Sequence, residues 1–444
     1  MNKILLLGAG RSATVLIDYL LSNATIHNWQ LAIGDVSVEH LTQKLALYSQ
    51  ARAFVFDVQN EEQRRTEIGQ AHVVISMLPA LFHPLVAQTC LELGQHLVTA
   101  SYVPSQIKEM HEEAKAKRLT FLMECGLDPG IDHMSAMRII HQIQGQGGNI
   151  TSFKSFTGGL MAPESENNPW HYKFTWNPRN VILAGQGTAK YKQDGAYKYI
   201  PYPQLFRRTE TFLVEGFGYF DGYANRDSLG YVEPYGLQNI QTMLRGTLRR
   251  PGYCQAWHVL VQLGLTDDSY SLEDSAHMTY WELVESCLPT APKQGMSLKE
   301  QVAAYVGLNP EAEEMQLIEW TGLFEEVPIG LDKATPAQAL EKLLVPKWKL
   351  SPGDKDMIVM LHQFEYELNG AQKKLTSSLV VLGDDEVHTA MAKTVGLPVG
   401  IAVKHLLLGR LQTKGVVVPL QAELYQPILE ELEQNGIRFV EKGE

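Results

Sequence analysis

Asp128 lies in the stretch Glu124-Cys125-Gly126-Leu127-Asp128-Pro129-Gly130-Ile131-Asp132-His133-Met134, where an apolar run gives way to a helical pattern. A carboxylate at such a junction can exchange a proton or stabilise positive charge that develops beside it. Leu119 to Met123 reads as a buried strand, and the Gly, Asp, Pro and Gly that follow punctuate the backbone. Asp132 then stands near a helix cap, with Met134, Met137 and Ile140 on one helical face. The carboxyl edge of an open α/β sheet is where ligands bind, which makes Asp128 a candidate catalytic group. The plainer alternative is a strand-to-helix turn in which Asp is only a cap. A second chemistry belongs to guanidinium groups. The loops Asn225-Arg226-Asp227-Ser228 and Arg245-Gly246-Thr247-Leu248-Arg249-Arg250 set Arg beside Gly and Thr in a chain of net charge −12. That pattern suits a carboxylate-binding pocket, although Arg226 could equally pair with Asp227. A third loop runs from Thr157-Gly158-Gly159 through Asn167-Asn168-Pro169 to Lys173-Phe174-Thr175-Trp176.

These groups must be positioned by a scaffold, and the first 125 residues supply one. Ile4 to Leu7 is a strand, followed by Gly8-Ala9-Gly10-Arg11-Ser12-Ala13 and a helix through Leu21. In this GxGxxA pattern Gly8 allows the tight turn, Gly10 lets a pyrophosphate approach the backbone, and Ala13 lets helix and strand pack closely. The next strand, Leu31 to Ile33, ends at Gly34-Asp35, the position of a ribose-binding acid. Asp35 would repel a 2′-phosphate, and Val36 and Ser37 offer no cation, so the expected cofactor is NAD, with NADP disfavoured. Further strands lead to Asp57-Val58 near the adenine, to Ser76-Met77-Leu78-Pro79, and to Thr99-Ala100-Ser101-Tyr102. With helices expected at about 79–93 and 104–117, six βα units make a Rossmann doubly wound parallel sheet.

Composition bounds the rest. The chain has 444 residues, enough for two or three domains. Its acidic balance argues against a nucleic-acid partner. Its four cysteines show no CxxC pair and suit a reducing compartment. The opening apolar run is too short for a signal peptide or membrane span, so a cytoplasmic location without a membrane partner is expected. His83, His133 and His362 have no partners at metal-ligand spacing, and no metal is implied.

The stretches GAGRSA, SMLPALFHPLVA, TASYVP, GLDPGIDHM, GGLMAPE with NNPWHYKFTW, NRDS, RGTLRR and AMAKTVGLPVGIAVKHLLLGRL carry a resemblance that covers nearly the whole chain. Through them the chain resembles the saccharopine dehydrogenase (L-glutamate-forming)/saccharopine reductase family. The resemblance implies a Rossmann domain, a mixed-sheet α+β domain for substrate and dimerisation, a small helical domain, and a homodimer. It implies reversible oxidation of the secondary amine saccharopine to L-glutamate and 2-aminoadipate 6-semialdehyde, in lysine metabolism, with NAD as the cofactor that Asp35 favours. Hydride loss is expected from the glutamate-side carbon. Carried over by motif, the dinucleotide contacts fall on Ala9, Gly10, Arg11, Ser12, Asp35, Asp57, Val58, Met77, Thr99 and Leu127 to Pro129, beside Gly8 of the turn. The saccharopine contacts fall on Ser101, Tyr102, Asp128, Arg226, Thr247, Leu248 and Arg249. Family members often carry Cys where this chain has Thr157. A threonine hydroxyl does not exchange protons near neutral pH as a thiol can, which shifts that work to Asp128 and Tyr102.

Residues 266–345 are acidic and read as the helical domain, with Leu272 to Leu288 and Leu298 to Tyr305 as its clearest helices. The expected boundaries are 1–130 for the Rossmann domain with a return at 386–444, 131–265 plus 346–385 for the substrate domain, and 266–345 for the helical one. Two rival functions stand beside the first. One is a dehydrogenase of a carboxyalkyl polyamine of the carboxynorspermidine type; the other is a catalytically silent NAD-binding regulator.

Overall fold

The computed structural model describes residues 1–289 and 295–443, and the chain falls into two compact units. The first comprises Met1–Ile150, Tyr366–Gln372 and Leu379–Val440; the second comprises Thr151–Glu365, Lys373–Ser378 and Glu441–Glu444.

The first unit is built on strands β1 (Lys3–Leu7), β2 (Gln30–Asp35), β3 (Ala51–Val55), β4 (Val73–Ser76), β5 (His96–Thr99) and β6 (Thr120–Leu122). A short strand, Gly415–Val417, joins on the outer side of β6, giving the order Gly415–Val417, β6, β5, β4, β1, β2, β3. The paired strands run parallel throughout. Runs such as Ile4–Leu7 and Val73–Ile75 are fully buried because helices cover both faces of a parallel sheet. The order reverses between β1 and β4, which places the ligand crevice at their carboxyl ends.

A long helix, Ala390–Leu407, is apolar enough by length and composition to cross a membrane, yet most of it is buried against other elements of the first unit. It packs on the helix Thr14–His27. Gly396 and Gly400, one turn apart, permit the close approach. A side-chain carbon at Gly396 would lie 3.0 Å from Leu16 Cβ, and one at Gly400 only 2.6 Å from Tyr19 Cδ1.

The second unit carries strands β7 (Asn149–Met161), β8 (Thr188–Gln193), β9 (Ala196–Pro201), β10 (Glu210–Val214), β11 (Gly218–Ala224), β12 (Thr242–Arg249), β13 (Asp356–Leu368) and β14 (Ala371–Leu382). The sheet order is β10, β11, β12, β7, β13, β14, then Val440–Gly443, with β8 pairing β12 and β9. Pairing is antiparallel from β10 through β12 and parallel from β12 to β7, so the sheet is mixed. With the parallel first sheet, the fold class is α/β. An aromatic core of Trp170, Tyr172, Phe174, Tyr253, Trp257 and Trp348 continues into the helices over 280–347.

Three expectations change. Thr157 to Met161 and Arg245 to Arg249 belong to β7 and β12 rather than to loops. Their glycines suggested turns, but they serve close strand packing. A side-chain carbon at Gly158 would sit 2.7 Å from the Leu248 carbonyl oxygen, and one at Gly246 would sit 2.4 Å from Phe156 Cε1. The expected helix over Leu272 to Leu288 shortens to Tyr280–Ser286, because Thr279 caps it in a capping box with Glu282. The expected helix at 104–117 divides into Ser105–Lys108 and His111–Ala116.

Gly400→Ala gains about 1 kcal/mol of helix propensity. Overpacking against Tyr19 costs roughly 1–3 kcal/mol. A net loss is therefore expected, read as a lower urea midpoint with unchanged slope; a raised midpoint would show that the two helices can part at no cost.

Candidate functional site

The dinucleotide turn follows β1. Gly8 has φ +95°, and a side-chain carbon there would lie 2.8 Å from the Met77 carbonyl carbon, so only glycine fits. Gly10 faces open space, with nothing within 4 Å of where its side chain would be. That is the cradle a pyrophosphate needs against bare backbone. Residues Arg11–Ala13 form one 3₁₀ turn before the helix Thr14–His27. Asp35, at the end of β2, accepts hydrogen bonds from the Ala9 N–H at 2.5 Å and the Ser37 N–H at 3.2 Å. Its carboxylate is thus fixed beside the glycine turn. Asp57 accepts from the Gln59 N–H, and Val58 is buried, its carbonyl accepting from buried Arg64. Met77 donates its N–H to the Leu7 carbonyl, and Thr99 accepts from the Ser101 N–H. These residues fit a dinucleotide, which supplies the hydride acceptor when bound.

The stretch after β6 closes on itself. The Gly126 N–H donates to the Pro129 carbonyl, and the Ile131 and Asp132 N–H groups donate to the carbonyls of Gly126 and Leu127. Asp132 caps the turn by accepting from the Gly130 N–H at 2.7 Å. Asp132, not Asp128, is therefore the capping acid. Asp128 is half-buried, the Asp128–Pro129 bond is cis, and the Tyr102 hydroxyl donates to Asp128 Oδ1 at 3.3 Å. Ser101, Tyr102 and Asp128 come together at the carboxyl edge of β5 and β6, and Tyr102 is half exposed.

Two histidines that the sequence showed only as lacking metal partners make contacts that pattern could not reveal. Buried His133 sits between Glu124 Oε2 at 2.9 Å and Asp132 Oδ2 at 3.5 Å. Glu124 also accepts from the Val103 N–H, tying the β6 turn to the stretch after β5. His83 opens the helix His83–Leu93. Its Nδ1 lies 2.9 Å from Ser76 Oγ and its Nε2 2.7 Å from Ser101 Oγ. Burial pushes its pKa down to about 4. The available signal was that Ser76 and Ser101 each fall at a strand end on one edge, with a histidine at the start of the helix between them.

The second unit holds the remaining candidates. Thr157 and Thr247 are paired neighbours on β7 and β12. The Thr247 hydroxyl donates to Asn225 Oδ1 at 2.8 Å, while the buried Thr157 hydroxyl has no hydrogen-bond partner among the described residues. Arg226 is exposed, and its carbonyl accepts from the Lys190 N–H. Asp227 is engaged elsewhere, accepting from the Leu229 and Gly230 N–H groups. Leu248 is fully buried. Arg249 is 4% exposed and lies 5.2, 5.3 and 6.0 Å from the ring centres of Tyr172, Tyr253 and Tyr223. Its Nη1 donates to the Leu248 carbonyl, and its buried Nε has no hydrogen-bond partner among the described residues. Burial raises the pKa of each of these tyrosines, against the pull of the guanidinium. Among the described residues no group of three His, Cys, Asp or Glu side chains could hold a metal.

Comparison with known proteins adds an independent line. Residues 4–122 match the family described as "Saccharopine dehydrogenase NADP binding domain", and 126–437 match "Saccharopine dehydrogenase C-terminal domain". The chain is 35% identical over 449 residues to the mitochondrial alpha-aminoadipic semialdehyde synthase of Bos taurus, covering 99% of this chain and 47% of that protein. It thus spans about half the length of the synthases it matches, 45% in the Arabidopsis thaliana protein. It is 32% identical to the saccharopine dehydrogenase [NADP(+), L-glutamate-forming] of Saccharomyces cerevisiae, covering 99% of each. The structure of apo saccharopine dehydrogenase (L-Glu forming) from that yeast superposes with a TM-score of 0.89 at 29% identity, covering all of both chains.

A histidine with a folded-state pKa of about 4 and an unfolded value near 6.5 binds fewer protons when folded across that window. Its neutral form contributes stability that is complete above pH 6.5 and is lost as pH falls towards 4. Urea unfolding at pH 7 and pH 5 is expected to show a smaller stability drop for His83→Gln than for the wild type. An equal drop in both would place the acid sensitivity elsewhere.

Proposed function

The chain belongs to the saccharopine dehydrogenase family, oxidoreductases acting on a CH–NH group, and on that premise we propose that it oxidises saccharopine to L-glutamate and 2-aminoadipate 6-semialdehyde. The observation that carries this reading is the Tyr102–Asp128 pair, on the same sheet edge as the glycine turn and Asp35. The products correct one expectation. Glutamate leaves with its nitrogen and the other fragment becomes an aldehyde. Hydride must therefore be lost from the methylene carbon on the aminoadipate side of the C–N–C link, not from the glutamate carbon. The resulting C=N⁺ takes up water with loss of a proton, and the carbinolamine collapses as the nitrogen takes a proton and departs. Asp128 stabilises the cationic nitrogen and, with the Tyr102 hydroxyl, holds the protons exchanged with water and amine. Thr157 orients water at most. The three substrate carboxylates call for cations and donors, supplied in this reading by Arg226, Arg249 and the Thr247 hydroxyl.

For the cofactor two considerations diverge. The family description and the fungal relatives' names favour NADP. Against this, Asp35, a feature of this chain itself, follows β2 at the position of a ribose-binding acid, where its carboxylate would repel a 2′-phosphate. We therefore propose NAD as the preferred cofactor, with NADP the alternative that assay decides. A carboxyalkyl-polyamine substrate would need fewer guanidinium contacts than Arg226 and Arg249 provide, and a silent NAD-binding regulator would have no need of the Tyr102–Asp128 pair.

The direct test follows reduced-cofactor absorbance at 340 nm on adding saccharopine with NAD or NADP. Turnover with a higher kcat/KM for NAD is expected, and Asp35→Ala should narrow the gap; equal or better use of NADP by the wild type refutes the NAD preference, and no turnover with either refutes the reaction.

Variants separate the roles. Asp128→Ala should lower kcat by about 10² or more and leave cofactor Kd within a few-fold. Arg226→Ala should raise saccharopine KM about tenfold or more, the worth of one charge-assisted pair. If Arg226→Ala instead weakens cofactor binding and spares saccharopine KM, the carboxylate site has been placed wrongly.

A further inference from the structure

We propose that His83 is a positioning residue that fixes the Ser101 hydroxyl as a hydrogen-bond donor towards a carboxylate of the substrate. This deepens the functional reading above and rests on it for the identity of the carboxylate.

The geometry allows few arrangements. The imidazole is 1% exposed and held between two hydroxyls, Ser76 Oγ at 2.9 Å and Ser101 Oγ at 2.7 Å. No acidic side chain is among its partners. It also sits at the first turn of the helix His83–Leu93, whose positive end disfavours an imidazolium. The ring is therefore neutral and carries a single N–H. If Nδ1 bears the proton, Ser76 accepts it and Ser101 must give its own hydrogen to Nε2. Ser101 would then offer only lone pairs to the crevice, which a carboxylate would repel. If Nε2 bears the proton, Ser101 accepts from it and its hydrogen is free to point outward, while the Ser76 hydroxyl donates to Nδ1. Only the second arrangement suits an anionic ligand.

The backbone around Ser101 is fixed independently. Its N–H donates to Thr99 Oγ1 at 3.3 Å, and its carbonyl accepts from the Glu124 N–H at 3.0 Å. The hydroxyl hydrogen is thus the remaining freedom at this residue, and His83, by filling one lone pair of Oγ from Nε2, turns that hydrogen away from the imidazole. Ser76 is fully buried, so the chain of hydroxyl, imidazole and hydroxyl ends inside the protein and cannot deliver a proton to solvent. Its use is orientation.

Two measurements test this on the full chain. Nitrogen-15 NMR of histidine-labelled protein, with His83 assigned by its loss in His83→Gln, should show the neutral Nε2–H tautomer at pH 7. An Nδ1–H tautomer overturns the proposal. In kinetics, asparagine reaches only the Nδ1 position, whereas glutamine can place an amide donor where Nε2 was. Ser101→Ala and His83→Asn should each raise saccharopine KM about tenfold, with kcat and cofactor Kd changed by no more than about twofold. His83→Gln should recover most of that loss, and the double variant His83→Asn/Ser101→Ala should be no worse than Ser101→Ala alone. Additive losses, or a failure of glutamine to outperform asparagine, overturn the proposal. Failure of the wild type to oxidise saccharopine removes the functional reading and the ligand with it, while the NMR spectrum still decides the tautomer.

Discussion

The closure of the turn from Gly126 to Gly130 is the constraint on which the rest of the first unit depends. A side-chain carbon at Gly130 would lie 2.1 Å from the Gly126 carbonyl oxygen, and one at Gly126 would lie 2.8 Å from Ala100 Cβ. Only glycine can bring the end of β6, the stretch after β5 and the start of the helix Ile131–Gly145 so close together. Within that closure the Asp132 carboxylate takes the Gly130 N–H. Glu124 meanwhile bridges the Val103 N–H and His133. Asp128 is left at the rim with Tyr102 as its hydroxyl partner. Three acids within nine residues thus have different work. Two lock the backbone, and the third meets the Tyr102 hydroxyl instead.

Much of this was legible in the sequence. Parallel strands buried on both faces write themselves as apolar runs, so β1, β4 and the glycine turn could be located from pattern alone, and Asp35 and Asp128 followed from their places after strands. Glycine was the residue most easily misread. In Thr157-Gly158-Gly159 and Arg245-Gly246-Thr247 it suggested turns. In the folded sheet it admits a neighbouring carbonyl oxygen or the Phe156 ring into the space a side chain would fill. Nothing local distinguishes the two uses, because the partner lies on a strand about ninety residues away. His83 was hidden for the same reason. Its two hydroxyl partners lie 7 and 18 residues off and become neighbours only when β4 and β5 pair.

The distribution of charge completes the account. A dinucleotide brings phosphates, the proposed substrate brings three carboxylates, and the reaction develops a single cation at nitrogen. A crevice for such ligands can tolerate few carboxylates of its own, each placed where it meets a hydroxyl or a cation. Asp35, at the end of β2 where a ribose-binding acid is expected, is fixed by two backbone N–H groups. Asp128, in the proposed reaction, faces the nitrogen that becomes cationic, and it already accepts from the Tyr102 hydroxyl. Beside them on the edge stand neutral polar groups, namely Ser76, Thr99, Ser101, Tyr102 and an imidazole held uncharged by burial. Neutral hydroxyls donate to anions without adding a charge that the empty site would have to solvate. A charged histidine at position 83 would attract a carboxylate more strongly, but it would also be repelled by the cationic intermediate and would need a buried counter-ion. A neutral ring that only orients Ser101 would avoid both costs, leaving Asp128 as the proposed catalytic charge on this edge.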